Sequence, residues 1–168
     1  MQKSHEKILH LDTLVAWREA LRREGKRLVV TNGCFDLLHA GHIAYLEEAR
    51  SLGDALLVGV NGDEAVLALK GKGRPINAEN DRAIIIGGLV AVDAVCVFPE
   101  TTATNFLRVA LPDFYVKGGD YTIETLNGEE RAVVEECGGK IVILPFIPKR
   151  STTGIVEKIR TMFHGEKS

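Results

Sequence analysis

The sequence predicts an α/β fold, a parallel sheet with helices on both faces, and three observations carry that expectation. Short apolar runs alternate with amphipathic helical segments along the whole chain, the pattern of βαβ units. The runs Leu28-Val29-Val30, Ala55 to Val60 and Ala94 to Phe98 are continuous rather than alternating, as expected for strands buried on both faces. The chain has 168 residues, 45% of them hydrophobic and 26% charged, which suits one core of ordinary composition. With right-handed crossovers, these observations lead to a Rossmann-like, doubly wound, parallel five-stranded sheet in a single domain.

Element by element, a helix is expected over 11–24, with Asp12 as its cap and Gly25 as its stop. Strand 27–31 and helix 41–52 follow, then strand 55–60 and helix 63–69. Residues 70–77 form a loop of Gly, Pro, Lys and Arg. Helix 78–90, strand 94–98, helix 104–110 and strand 114–116 come next. Gly118-Gly119 makes a turn, and helix 129–137, strand 140–144 and helix 152–163 close the chain. No repeat or low-complexity tract interrupts this order.

Charge and composition exclude several functions. The net charge is −2, which argues against a long nucleic-acid backbone as partner, because many phosphates would need neutralising. Cys34, Cys96 and Cys137 cannot all pair and match no zinc spacing, so reduced thiols in the cytoplasm are expected. The longest apolar run, 83–92, contains two glycines and falls far short of the ~20 residues of a spanning helix. The first ten residues are polar and lack an apolar signal core.

In a doubly wound sheet, ligands sit beyond the carboxyl ends of the strands, which selects the segments after Thr31, Val60, Phe98, Val116 and Leu144. The first reads Thr31-Asn32-Gly33-Cys34-Phe35-Asp36-Leu37-Leu38-His39-Ala40-Gly41-His42. It runs from a strand through a glycine turn into a helix start, where free N–H groups and the dipole favour an anion. His39 and His42 are three residues apart and face one ligand across the first turn, with Gly41 admitting a phosphate near the backbone. Two imidazole donors suit charge developing on phosphate. A metal reading lacks further ligands at a matching spacing, and surface or capping histidines are the remaining alternative.

Other strand ends add candidates. Asn61 is a possible ligand contact, and Asp63 reads as a helix cap. Lys70, Lys72 and Arg74 place three cations among glycines, either a solvated loop or a basic flap over phosphates. Arg82 lies near a helix start, where its charge opposes the dipole and hints at a ligand. Val116-Lys117-Gly118-Gly119-Asp120-Tyr121 offers a cation, an acceptor and close backbone approach, or a plain Gly-Gly turn. Ser151-Thr152-Thr153 opens the last helix as a cap, an anion site or both.

Gly33-Cys34-Phe35-Asp36 with His39-x-Gly41-His42 resembles the His-x-Gly-His signature of the nucleotidyltransferases. Taken with Leu69-Lys70-Gly71, Arg74-Pro75-Ile76-Asn77, Asp81-Arg82, Val92-Asp93, Pro112-Asp113, Lys117-Gly118-Gly119-Asp120-Tyr121 and Ser151-Thr152-Thr153, the chain from about 11 to 159 is similar to the D-glycero-D-manno-heptose 1-phosphate adenylyltransferases. These occur freestanding or as the C-terminal half of a bifunctional heptose kinase/adenylyltransferase, and at this length the chain resembles the freestanding form. It departs from the family pattern at Gly62, at 127–130 and at 148–150.

The resemblance implies transfer of AMP from ATP to a heptose 1-phosphate with release of pyrophosphate. His39, His42, Lys70 and Arg82 would be catalytic. Asn32, Gly33, Cys34, Phe35, Asp36, Gly41, Lys72, Gly118, Gly119, Asp120, Ser151, Thr152 and Thr153 would bind nucleotide, together with the two histidines. Asn61, Arg74, Lys117 and Tyr121 would meet the acceptor. Mg²⁺ would be held mainly by the ATP phosphates, no residue serving as a dedicated metal ligand. A homodimer is implied, with 84–98 as a candidate interface and no nucleic-acid or membrane partner. The rivals are a cytidylyl- or adenylyltransferase for another acceptor such as glycerol 3-phosphate, a non-catalytic nucleotide sensor, and a redox dinucleotide enzyme, for which Gly-x-Gly-x-x-Gly is missing.

Overall fold

The computed structural model of the chain describes residues 2–119, 121–145 and 151–164. After a 3-10 turn at Ser4–Lys7, the order is β1 (Ile8–Leu9), α1 (Leu11–Arg23), β2 (Leu28–Gly33), α2 (Ala40–Ser51), β3 (Ala55–Asn61) and α3 (Asp63–Lys70). It continues with α4 (Glu79–Gly87), β4 (Ala94–Phe98), α5 (Thr104–Ala110), β5 (Phe114–Gly118), α6 (Gly128–Glu136), β6 (Lys140–Leu144) and α7 (Thr152–His164). The sheet order is β1-β4-β3-β2-β5-β6, with every pair parallel. From β2 the chain steps outward through β3 to β4, then crosses to the other side of β2 for β5 and β6. The winding therefore reverses between β2 and β5, and their carboxyl ends frame the ligand crevice of this architecture.

The strands feed two cores because successive side chains point to opposite faces. Val30, Leu57, Cys96 and Tyr115 face α1, α5 and α6, where Leu14, Phe106 and Val133 complete one cluster. Val29, Val58, Val95 and Val116 face Leu46 of α2 and Ala83 and Ile86 of α4 in the other. All of these strand residues are fully buried, which explains the continuous apolar runs.

The structure departs from the sequence expectation in four places. A sixth strand, β1, lies at the sheet edge with Ile8 opposite Val95 and Leu9 opposite Cys96; two residues give no periodicity to read. His10, not Asp12, sits at the N-cap of α1, and its N–H donates to Thr13 Oγ1 at 3.0 Å. Helix α4 ends at Gly87 rather than 90, at the Gly87-Gly88 pair. Strands β2, β3 and β5 run further than expected because their ladders continue, pairing Gly33 with Val60, Asn61 with Phe98 and Gly118 with Leu144. Asn32, Asn61 and Lys117 thus stand on strand ends, not on loops.

The apolar stretch 84–98 is divided by this topology. Ile84, Ile85 and Val90 are exposed, Val90 completely, whereas β4 lies inside the sheet between β1 and β3. No helix among the described residues is long and apolar enough to cross a membrane.

Candidate active site

A cavity of about 950 Å³ opens over the carboxyl ends of β2 and β5. On its wall are Asn32, Gly33, Cys34, Phe35, Asp36, His39, Gly41 and His42, from the end of β2 into α2. Asn61, Lys70 and Arg74 line it from β3 and the basic loop, Lys117, Gly118, Gly119 and Tyr121 from β5 onward, and Ser151, Thr152 and Thr153 from the start of α7. Asp120 lies outside the described residues. The structure thus gathers five separated segments into one space.

At one end stands the histidine pair. His39 is the N-cap of α2; the His42 N–H turns back to the His39 carbonyl at 2.9 Å, and the N–H groups of Ala40 and Gly41 have no acceptor within the helix. The His39 and His42 rings stack with centroids 3.9 Å apart, and the His39 backbone N–H donates to His42 Nδ1 at 3.4 Å. That contact assigns the proton to Nε2. Burial pushes the His42 pKa down to about 4, and the neighbouring His39 adds to the shift. His42 is therefore a neutral imidazole at pH 7, with an N–H to give. Phe35 packs its ring edge against His42 at 5.5 Å and holds φ at +47°, a left-handed conformation that costs about 1–3 kcal/mol outside glycine.

Helix α7 begins at the same end. Ser151 Oγ accepts from Gly154 N at 3.0 Å, so Ser151 caps the helix. Thr152 Oγ1 donates to the Leu37 carbonyl at 2.9 Å, which ties α7 to the β2–α2 loop and leaves the oxygen's lone pairs to accept. Lys70 supplies a cation at the end of α3.

Asp36 was expected to meet the nucleotide; it lines the cavity, and its carboxylate is engaged by the basic loop. Its side chain is almost fully buried, and its carboxylate accepts from Arg74 Nε, Ile76 N and Asn77 N, while Asn77 Nδ2 donates to its carbonyl at 2.8 Å. Burial would raise its pKa, but the Asn77 and Ile76 N–H groups and the Arg74 guanidinium outweigh that and hold it below the usual carboxylate value. Asp36 is the clamp that fastens the basic loop beside the histidines. Within that loop Lys72 is exposed and is not among the residues on the cavity wall.

Arg82 stands apart from the expected site. Its side chain is 0% exposed and does not line the cavity. Nε donates to the Asn77 carbonyl at 3.0 Å, Nη1 to the Cys34 carbonyl at 2.6 Å and Nη2 to Asp63 Oδ1 at 2.8 Å. Two carbonyls and a carboxylate answer the charge near the helix start without any ligand. Asp63, expected as a cap, is instead the first residue of α3 and serves as this ion-pair partner. Cys34 contributes that carbonyl, and burial pushes its thiol pKa up, which suits packing rather than nucleophilic attack.

The other end of the cavity is a buried polar network. Lys117, 7% exposed, donates from Nζ to Asn32 Oδ1 at 2.8 Å. The Tyr115 hydroxyl lies 2.7 Å from the same oxygen and 2.8 Å from Glu130 Oε2. Glu130, on α6, also accepts from Ala103 N at 2.7 Å and faces Lys117 Nζ at 3.8 Å. The ammonium sits between the Tyr115 and Tyr121 rings, 5.3 and 5.1 Å from their centroids. Burial lowers the Lys117 pKa, and the Glu130 charge offsets part of the shift. Beside it, Gly118 is required by packing: a Cβ there would lie 2.7 Å from the Tyr45 ring. Asn61 Nδ2 is already donated to the Glu100 carbonyl at 3.0 Å.

Sequence reasoning missed Thr101, Thr102, Asn127, Glu130, Tyr45 and Glu48, all on the cavity wall. The strand-end rule pointed to the segment after Phe98, which supplies Thr101 and Thr102, but without choosing residues. Glu130 and Tyr45 carry no local signal, since helical periodicity places them only on inward faces.

Comparison with known proteins accords with this geometry. The chain is 49% identical over 158 residues to the bifunctional protein HldE of Geotalea uraniireducens, covering 94% of this chain and 32% of that protein. Against HldE of Pseudomonas aeruginosa strain LESB58 it is 48% identical over 159 residues, covering 95% and 33%. The chain therefore spans about a third of the length of these curated relatives. Among solved structures, a lipopolysaccharide core biosynthesis protein from Thermoplasma volcanium aligns with a TM-score of 0.59 and 31% identity, over 73% of this chain and 98% of that one. A pantoate-beta-alanine ligase from Francisella tularensis shares the fold at a TM-score of 0.57 and 15% identity, over 88% and 69% of the two chains. The cytidylyltransferase-like family matches residues 30–158, spanning both ends of the cavity, and the chain belongs to that family.

Proposed function

We propose that this protein is an adenylyltransferase that transfers AMP from ATP to D-glycero-D-manno-heptose 1-phosphate, giving ADP-heptose and pyrophosphate. The observation that carries the reading is the neutral His42, with Nε2 protonated, stacked on His39 at the open N-terminus of α2. A neutral His42 with its Nε2 proton in place would donate to a phosphate oxygen beside the first-turn N–H groups. The relatives named HldE and the lipopolysaccharide core biosynthesis protein support the choice of sugar.

In the proposed reaction an oxygen of the acceptor's phosphate attacks the α-phosphorus of ATP in line. The new P–O bond forms as the bond to the β-phosphate oxygen breaks, and its electron pair leaves with pyrophosphate. The attacking oxygen is already anionic, so positioning and charge stabilisation suffice. His42 would donate to the α-phosphate, while His39, Lys70 and the first turns of α2 and α7 hold the β and γ side. Asn32, expected from the sequence to meet the nucleotide, is bonded to Lys117 and with Lys117 and Tyr121 would instead receive the acceptor, with Gly118 and Gly119 beside the nucleotide. Mg²⁺ would travel with ATP, sharing charge among phosphate oxygens and water; among the described residues no three His, Cys, Asp or Glu side chains gather as a ligand set. A homodimer remains part of the proposal, with Ile84, Ile85 and Val90 as its exposed apolar patch.

The test is a coupled pyrophosphate-release assay with ATP, CTP and GTP against both anomers of heptose 1-phosphate and glycerol 3-phosphate. ATP with one heptose anomer should give the highest kcat/KM. Preference for CTP with glycerol 3-phosphate would replace the reading by a cytidylyltransferase, and nucleotide binding without turnover on any acceptor would replace it by a sensor.

A further inference from the structure

Glu130 is an acid of helix α6 whose side chain is nearly buried, yet it lies on the cavity wall. It closes a ring of polar groups from three elements: Glu130 Oε2 to the Tyr115 hydroxyl at 2.8 Å, that hydroxyl to Asn32 Oδ1 at 2.7 Å, Asn32 Oδ1 to Lys117 Nζ at 2.8 Å, and Lys117 Nζ back to Glu130 Oε2 at 3.8 Å. Its second oxygen is held by Ala103 N, at the N-cap of α5. The ring lies at the carboxyl rim where the sheet reverses its winding, between the ends of β2 and β5.

Two consequences follow from donor and acceptor chemistry. Asn32 Oδ1 receives from the Lys117 ammonium and faces the Tyr115 hydroxyl, so the carboxamide cannot turn over without setting its NH₂ against Lys117. Its two amide protons are thereby kept for the cavity. Lys117 has three protons and directs one at Asn32; the Glu130 charge and the two tyrosine rings hold the ammonium in place for the rest. Without Glu130, Lys117 would be a buried cation lacking its counter-charge.

We propose that Glu130 is a positioning residue for the acceptor: it acts through Tyr115 and Lys117 to aim the Asn32 carboxamide and the Lys117 ammonium at the sugar phosphate. The inference rests on the proposed transferase reading only in calling that ligand the acceptor. It makes no contact with the triphosphate end, where His39, His42 and Lys70 stand on other segments.

The experiment compares Glu130→Gln, Glu130→Ala and Tyr115→Phe with the wild-type enzyme, using the acceptor that the pyrophosphate panel selects. Each variant should raise KM for the acceptor, by about tenfold or more for Glu130→Ala, the scale of a lost charge-assisted hydrogen bond. KM for ATP, and the calorimetric Kd of a non-hydrolysable ATP analogue, should stay within about twofold. Glu130→Gln keeps an acceptor for Ala103 N and should recover part of the loss. If Glu130→Ala fails to fold, the other two variants decide. Folded variants with an unchanged acceptor KM would overturn the proposal, as would an equal rise in both KM values, which marks a merely structural role. Turnover of some other acceptor by the wild type would sink only the heptose reading, whereas no turnover on any acceptor would sink both.

Discussion

The two ends of the cavity are built differently. The histidine end is built around a single stretch of chain folded over one helix start, to which α7 and the basic loop are tied: His39 caps α2, His42 stacks on it one turn later, and Phe35 backs it with a left-handed φ. The Lys117 end is assembled from β2, β5, α5 and α6, through Asn32, Tyr115, Ala103 and Glu130. One end offers backbone N–H groups and imidazole donors suited to a common triphosphate. The other offers a fixed buried pattern of donors, which is how proteins reject a ligand with the wrong hydroxyls. On the proposed reading, local structure would supply the shared chemistry and tertiary structure the choice of partner.

The sharpest way to break this division is His42→Ala. It should lower kcat by at least ~10²-fold, the scale of one preorganised donor, with the acceptor KM little changed in steady-state kinetics. A rate near wild type would detach His42 from the chemistry. Next in size is Asp36→Asn, which loosens the clamp on the basic loop. It should reduce kcat/KM for ATP about tenfold and destabilise the fold by about 1–3 kcal/mol, read by kinetics and urea unfolding. Because the Asp36 pKa is held down by its donors, its stabilising share is present above the ordinary carboxylate pKa and is lost as pH falls through the lowered value.

How much of this was legible in the sequence follows the same division. The parallel sheet, its strand positions and the histidine end could all be read, because continuous apolar runs and a contiguous motif are local signals. The network around Glu130 could not, since residues 32, 115, 117 and 130 meet only when the winding reverses. Arg82 was misread for a related reason: its charge conflicts with a helix dipole in one dimension, while in three dimensions the Asn77 and Cys34 carbonyls and Asp63 surround it. The edge strand β1 was too short to leave a pattern.

Smaller effects sharpen the picture. His42 is neutral in the folded chain down to about pH 4 but has an ordinary value of 6.5, so below pH 6.5 the unfolded state takes up a proton that the folded state refuses. Its contribution makes stability fall as pH drops from 6.5 towards 4 and level off below. An NMR titration of the His42 ring in the ligand-free protein should show a midpoint near 4; one near 6.5 would mean the ring is open to solvent. The smallest change is expected from Lys72→Ala, since Lys72 lies off the cavity wall; KM for ATP should move by no more than about twofold. A larger rise would mean that the loop swings in over the phosphates.

The most direct measurement is ³¹P NMR of the reaction of ATP with heptose 1-phosphate. The account predicts two coupled resonances of a pyrophosphate diester joining adenosine to the sugar, with an equal amount of free pyrophosphate, both growing in at least ~10²-fold more slowly with His42→Ala. Formation of ADP with a newly phosphorylated sugar, or of AMP without a nucleotide sugar, would contradict it.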